Sequence, residues 1–189
     1  MTEREMNILL FLTNVRVATT KQIQEMFFKG LHHSVSYRRL QILVDNKMLK
    51  RNYYHLNNKN IYVYYLDKKP SKKNILHDLL ITEFYIQLNK YQFNILEFER
   101  NPIIAGIIPD AIIKFTKPNT HNEKYIFLEV QLSTHDCISK YYNIKSKAKK
   151  DIPNTLYIIT NQKIKYSELR DLKVVIDTIE FKKLEFYFS

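Results

Sequence analysis

The feature that most constrains the fold is the stretch 107–133, where two apolar strands flank a polar loop. Successive side chains of a strand point to opposite faces of its sheet. In the second strand, this alternation puts Glu129 and Gln131 on one face. In the first strand, it puts Asp110 on the same face as Ile112. If the two strands pair, Asp110 and Glu129 meet near one rim of a sheet, and carboxylate oxygens there are suited to a divalent cation such as Mg²⁺.

These residues form the motif Pro109-Asp110 … Glu129-x-Gln131, which resembles the PD-(D/E)xK nuclease superfamily over roughly the C-terminal two-thirds of the chain. The resemblance implies that Asp110 and Glu129 hold Mg²⁺ and that the metal activates water for phosphodiester cleavage. Gln131 stands where the usual residue is lysine, and some active members also have glutamine there. The resemblance further implies that an acid of the first core helix, here Glu83, assists.

The composition favours a polyanionic partner. The 189 residues include 30 Lys and Arg against 19 Asp and Glu, a net charge of +11, and the pI is about 9.5. Nucleic acid is the partner that such a balance favours, although an AT-rich genome would also enrich lysine. The single cysteine, Cys137, excludes an internal disulfide and is typical of a reducing compartment.

No apolar run approaches the roughly 20 residues that a membrane helix needs. The N-terminus also lacks the basic and apolar regions of a secretory signal. We therefore expect a cytoplasmic protein with no membrane partner.

Residues 1–68 show the periodicity of three helices followed by a hairpin. Apolar residues recur at helical spacing near the N-terminus, after Thr19, and from Ser34, the expected N-cap of the third helix. Gly30 stands where the chain must turn between the second and third helices. Extended runs within 50–66 flank a polar turn. This order resembles the winged helix-turn-helix family, which implies a recognition helix in the major groove of DNA and a wing beside it.

The polar residues of this predicted surface are candidate DNA contacts. The free face of the third helix carries no acidic residue between Ser34 and Val44, and arginine there can donate to guanine edges. Basic residues of the wing would meet phosphates. The candidates are Ser34, Arg38, Arg39, Gln41, Lys50, Arg51 and Lys59. A protein-binding winged helix with a solvated basic face is the alternative.

The short polar segment 67–71 predicts a boundary between two domains, 1–68 and 72–189. The second is expected to begin with a long helix and to contain a lysine-rich helix after Ser133, whose Lys140 is a further candidate DNA contact. The predicted class is α+β, a winged helix-turn-helix plus an α/β PD-(D/E)xK-like mixed sheet flanked by helices.

The combination of the two halves resembles the replication-relaxation type proteins of plasmids and other mobile elements. The residues that carry this resemblance are the winged-helix pattern followed by His77, Pro109-Asp110 and Glu129-x-x-x-Ser133. It implies a protein that binds DNA at a replication or transfer locus.

Three hypotheses follow from the sequence. The first is a site-specific double-stranded DNA-binding protein of a plasmid, phage or integrative element, acting in replication, transfer or its regulation, with a nuclease-like domain that need not be active. The second is a Mg²⁺-dependent endonuclease in which Asp110 and Glu129 hold the metal, Gln131 orients the attacking water and Glu83 assists. The third is a regulator whose C-terminal domain binds only protein. Mg²⁺ is expected only if the site is active, and a homodimer is expected because many winged-helix proteins bind inverted repeats.

Overall fold

The computed structural model of the protein describes residues 1–56, 58–117, 120, 122–134, 136–147, 152–164 and 169–184. The chain forms two compact units, Met1–Ile86 and Gln87–Ser189. This division falls later than the polar segment 67–71 that the sequence predicts as the boundary. Helices accompany a three-stranded sheet and a five-stranded sheet, which confirms the α+β class. Within the described part of the chain, no helix is long and apolar enough to cross a membrane.

The N-terminal unit consists of helices around a small antiparallel sheet. Its elements are α1 (Glu3–Val15), β1 (Val17–Thr19), α2 (Thr20–Phe27), α3 (His33–Asp45), β2 (Lys50–Leu56), β3 (Lys59–Tyr65) and most of α4 (Ile75–Lys90). The strand β3 lies in the middle and pairs with both β1 and β2. The predicted order of three helices and a hairpin is present, and the three-residue β1 is an addition to it.

Local capping explains where the helices begin. Thr2 with Glu5, and Thr19 with Gln22, form reciprocal capping boxes at α1 and α2, which satisfy backbone N–H groups that have no partner within the helix. The N-cap of α3 is His32, whose Nδ1 accepts the backbone N–H of Ser34 at 3.3 Å. The prediction that Ser34 caps α3 is therefore wrong, because the preceding histidine supplies the acceptor.

The core of the N-terminal unit joins the sheet to the helices. One cluster contains buried residues of β1, β2, β3 and α4, namely Val17, Tyr54, Val63, Tyr65, Ile75 and Leu79. Leu40 and Leu43 bury the inner face of α3. Gly30 lies between α2 and α3 with φ of +79°, a backbone conformation that glycine adopts without the penalty of a Cβ. The opposite face of α3 includes the exposed residues Ser34 and Arg38.

The C-terminal unit is built on a mixed sheet. Its elements are β4 (Asn94–Arg100), β5 (Ala111–Thr116), β6 (Glu123–Gln131), a 3₁₀ turn (Ser139–Tyr141), α5 (Ile144–Lys147), β7 (Thr155–Thr160) and β8 (Lys173–Thr178). The strands lie in the order β4-β5-β6-β7-β8. The first three pair antiparallel, and β6, β7 and β8 pair parallel. The predicted lysine-rich helix is reduced to the 3₁₀ turn and the single-turn α5, and residues 148–151 lie outside the described part.

The segment after β6 covers one face of the sheet. Ile138, Tyr141 and Ile144 pack in one buried cluster with Ile112 of β5 and Phe127 of β6. Side chains two residues apart share a face of a strand, so Phe127 and Glu129 lie on the same face of β6. The segment that packs on Phe127 therefore also covers Glu129. The covering segment is therefore what removes that carboxylate from water.

Candidate nucleic-acid interface and carboxylate site

The outer face of α3 is polar and open to solvent. Ser34 and Arg38 are exposed, and Gln41 is half-buried. Ser36, Leu40 and Leu43, by contrast, are buried against the unit. The structure thus places the two faces of α3 as the helical period predicts. An arginine on such a face can reach outward with its full side-chain length.

A side-chain hydrogen bond connects α3 to the hairpin, because Arg51 of β2 donates from Nη1 to Gln41 Oε1 at 2.7 Å. Within α3, Gln41 donates from Nε2 to Asp45 Oδ1 at 2.7 Å. The Arg51 guanidinium also lies 4.5 Å from the centre of the Tyr62 ring. A guanidinium over an aromatic ring is stabilised by a cation–π interaction. Arg51 is therefore held in place next to α3.

The remaining basic candidates differ in how far they are engaged. Arg39 is exposed but pairs with Glu5 of α1 at 3.8 Å. Lys50 donates to the backbone carbonyl of Asp67 at 3.0 Å. Lys59 is exposed at the start of β3. These residues therefore lie in one unit. Arg39 and Lys50 already contact other residues of that unit.

Sequence reasoning missed a group of tyrosines on the same surface. Tyr53 and Tyr62 are cross-strand partners in the hairpin, with ring centroids 5.2 Å apart. The Tyr62 ring lies 6.4 Å from the ring of Tyr37 on α3. Tyr37 and Tyr53 are 42% and 55% exposed, so these rings are not core residues. Tyr37 lies one helical turn before Gln41 on the polar face of α3, and this position is the feature of the sequence that could have indicated the group.

In the C-terminal unit, the two motif carboxylates lie close together. The β5–β6 ladder pairs Ala111 with Leu128, and Asp110 and Glu129 are the next residues along. Asp110 Oδ2 accepts the backbone N–H of Val130 at 2.8 Å, which fixes Asp110 across the end of the ladder. The predicted juxtaposition of Asp110 and Glu129 is therefore present.

Glu129 is a buried acid, only 4% exposed. Burial, followed by the nearby charge of Asp110, raises the pKa of Glu129 from 4.5 to about 7. Two donors oppose this rise. Lys140 Nζ lies 2.7 Å from Glu129 Oε1, and the Tyr141 hydroxyl donates to the same oxygen. Burial and the charge of Glu129 raise the pKa of Tyr141 strongly, so that hydroxyl keeps its proton and acts as a donor.

Lys140, predicted as a DNA contact, is turned towards the carboxylate. Besides Glu129, its ammonium donates to the backbone carbonyl of Ile108 at 2.8 Å. Its side chain is 33% exposed. The charge of Lys140 is therefore paired with a carboxylate of its own unit.

Gln131 is held at both ends of its amide. It donates from Nε2 to the carbonyl of Ser133 at 3.2 Å and accepts from Cys137 Sγ at 2.7 Å. Burial raises the pKa of the Cys137 thiol to about 12, which keeps it protonated as a donor. These contacts orient Gln131 within the turn after β6, and its predicted role of positioning a water stays a prediction.

The Glu129 carboxylate is already engaged by two donors, which leaves this pair poorly arranged for a divalent cation. Across the described ranges, no group of three or more His, Cys, Asp or Glu side chains is placed to hold a metal ion. Glu129 Oε1 already accepts from an ammonium and a hydroxyl. Glu83, the predicted assisting acid, belongs to the N-terminal unit, where it accepts from Gln22 Nε2 at 3.0 Å. Its part in catalysis stays a prediction.

Comparison with known proteins finds a family match for part of the chain. Residues 9–72 match the model of the replication-relaxation family. The match covers less than half of the chain, from within α1 to the segment before α4, and so supports the predicted resemblance for the helices and hairpin of the N-terminal unit. No curated protein and no solved structure matches the chain.

Proposed function

We propose that this protein binds a specific site in double-stranded DNA and acts at a replication or transfer locus of a plasmid or other mobile element. In this proposal, the N-terminal unit is a winged helix-turn-helix that reads the site. The C-terminal unit is a nuclease-like fold that serves as scaffold or clamp without cutting.

The observation that carries the proposal is the exposed polar face of α3 beside the β2–β3 hairpin. An α-helix fits the major groove, where arginine distinguishes guanine by two hydrogen bonds. Arg38 is exposed at the middle of this face, and Ser34 precedes it by about one turn. The family match covers the same elements and supports a role in replication or transfer.

The hairpin adds a second kind of contact. Arg51 is held against Tyr62 and Gln41, and Tyr53 is exposed beside them. Tyrosine hydroxyls and basic side chains donate to phosphates and sugars, and such contacts orient a protein on the duplex. The hairpin would therefore set the position from which α3 reads base edges.

For the C-terminal unit, the arrangement at Glu129 favours a role without catalysis. A metal-dependent nuclease needs a cation that activates water and neutralises charge. Here an ammonium and a hydroxyl both donate to the motif carboxylate. The nuclease-like unit would then contribute through its fold and charge alone.

The test is a gel experiment, with sequencing of the retarded library DNA, that gives three readouts. Purified protein is incubated with supercoiled plasmid DNA and with a random duplex library, in Mg²⁺ or Mn²⁺ and in chelator. We expect retarded duplexes, enrichment of one sequence in the library, and no nicks. Absence of any retardation would contradict DNA binding. Nicks that disappear in Asp110→Asn would instead support the endonuclease hypothesis.

A homodimer remains part of the proposal. Sedimentation of the free protein and of its complex with the selected duplex would give both masses. Two chains on an inverted repeat are expected, and one chain on a site without symmetry would remove the dimer from the proposal.

A further inference from the structure

In the C-terminal unit, the ammonium group of Lys140 lies against the motif carboxylate of Glu129. We infer that the ammonium of Lys140 takes the place of a metal ion at the Asp110–Glu129 pair and so closes this site to divalent cations. The inference deepens the proposed non-catalytic role of the unit, but its evidence is separate from that for DNA binding by α3.

The contacts of the ammonium carry the argument. Lys140 Nζ lies 2.7 Å from Glu129 Oε1 on β6 and 2.8 Å from the carbonyl oxygen of Ile108 in the segment before β5. Asp110 belongs to that same segment and accepts from Val130 of β6. A lysine ammonium has three N–H donors and no acceptor. It therefore bridges oxygens from the two elements that a metal ion at this pair would have to bridge.

Tyr141 reinforces the closure. Its hydroxyl donates to the same carboxylate oxygen as Lys140, and the side chain is only 1% exposed. A hydrogen atom directed at a carboxylate oxygen competes with a metal for that lone pair. Tyr141 also lies within the buried cluster with Phe127 and Ile138, so the packing holds it in place.

The electrostatics act in the same direction. A divalent cation placed at this pair would lie within a few ångströms of the ammonium, and like charges so close repel strongly in a partly buried site. The ammonium can neutralise a carboxylate, but it has no vacant orbital with which to coordinate a water oxygen. It therefore cannot lower the pKa of a bound water as a metal does.

Mn²⁺ binding, measured by titration calorimetry on the full chain without DNA, tests the inference. The wild type is compared with Lys140→Met, which removes the charge and keeps the length of the side chain. Lys140→Arg is the matched control that keeps the charge, and the double variant Lys140→Met/Asp110→Asn removes an oxygen ligand. We expect Lys140→Met to bind Mn²⁺ at least about tenfold more tightly than the wild type, and the double variant to lose this binding.

The outcomes separate clearly. Wild-type Mn²⁺ binding that disappears in Asp110→Asn would overturn the inference, and so would a folded Lys140→Met that gains no affinity. If Lys140→Met does not fold, Lys140→Gln takes its place in the same comparison. DNA retardation in chelator is measured on each variant, so a failure of the proposed DNA binding is seen separately from a failure of the metal result.

Discussion

Arg38 is the residue on which the proposed reading of DNA most depends, because its guanidinium stands exposed at the middle of the free face of α3. Arg38→Ala should weaken binding to the selected site by about 1–3 kcal/mol, with a smaller loss on unrelated duplex. Fluorescence anisotropy on both duplexes measures the two losses.

Arg170→Ala is the matched control for this change. Arg170 is an exposed arginine of the C-terminal unit, and its removal alters the net charge equally. An equal loss on every duplex from Arg38→Ala would identify a phosphate contact and would contradict base reading.

Glu129 gives the protein a predictable response to pH. Because its pKa is raised from 4.5 to about 7 in the folded state, the folded chain binds this proton more tightly than the unfolded chain does. The resulting stability is fully present below about pH 4.5 and is lost as pH rises to about 7, at about 1.4 kcal/mol for each pKa unit. The free energy of unfolding should therefore fall across this window by about 3 kcal/mol through Glu129.

Glu129→Gln should abolish that part of the pH dependence. Urea unfolding of both proteins, from about pH 5 to about pH 8, gives the difference at each pH. Glu123→Gln, at the exposed start of the same strand, is the control. A difference between wild type and Glu129→Gln that stays constant with pH would contradict a buried, proton-binding acid.

Among the elements, α2 depends on its capping box. Thr19 accepts the backbone N–H of Gln22 at 3.2 Å, and the Gln22 side chain accepts the backbone N–H of Thr19 at 3.0 Å. Thr19→Ala should lower the free energy of unfolding by about 1 kcal/mol, seen as a lower urea midpoint with an unchanged slope.

Thr13→Ala provides the comparison for that variant. Thr13 is exposed within α1, and its hydroxyl donates to the Leu9 carbonyl, a bond that contributes little in a helix interior. If Thr13→Ala and Thr19→Ala destabilise the protein equally, the cap does not have the role assigned to it.

How far the elements follow from sequence depends on the length of each pattern. The helical period of α3 correctly predicts which residues are buried, because several turns repeat the same apolar spacing. The three residues of β1 carry no period, and their pairing with β3 depends on tertiary contacts. The lysine-rich stretch after β6 predicts a long helix. Over its described residues a 3₁₀ turn and α5 form, and Ile138, Tyr141 and Ile144 are buried over the sheet.

In the candidate site, too, one part could be predicted from the sequence and another could not. The nearness of Asp110 and Glu129 follows from strand alternation and a short polar loop. The position of Lys140 does not, because it depends on how the chain folds back after β6 to bring Nζ within 2.7 Å of Glu129. Sequence spacing alone shows which residues share an element, and contacts between elements need the packed structure.

For the whole molecule, the net charge of +11 predicts that the proposed DNA binding weakens as salt concentration rises. The logarithm of the binding constant should fall linearly with the logarithm of salt concentration, with a slope of about −0.9 for each phosphate neutralised. Lys59→Ala should reduce this slope by about 1, and Arg38→Ala should reduce the specific affinity instead. Anisotropy titrations over a range of salt concentrations test both, and a flat response would favour a protein partner.

The central place of β3 in its sheet has a consequence for the duplex itself. Because β3 pairs with β1 as well as with β2, the hairpin is anchored along its β3 edge, and the hydrogen bond from Arg51 to Gln41 ties it to α3. Under the proposed function, any adjustment needed to contact both surfaces would come from the double helix. Easily kinked pyrimidine–purine steps would then be favoured at positions that no side chain touches.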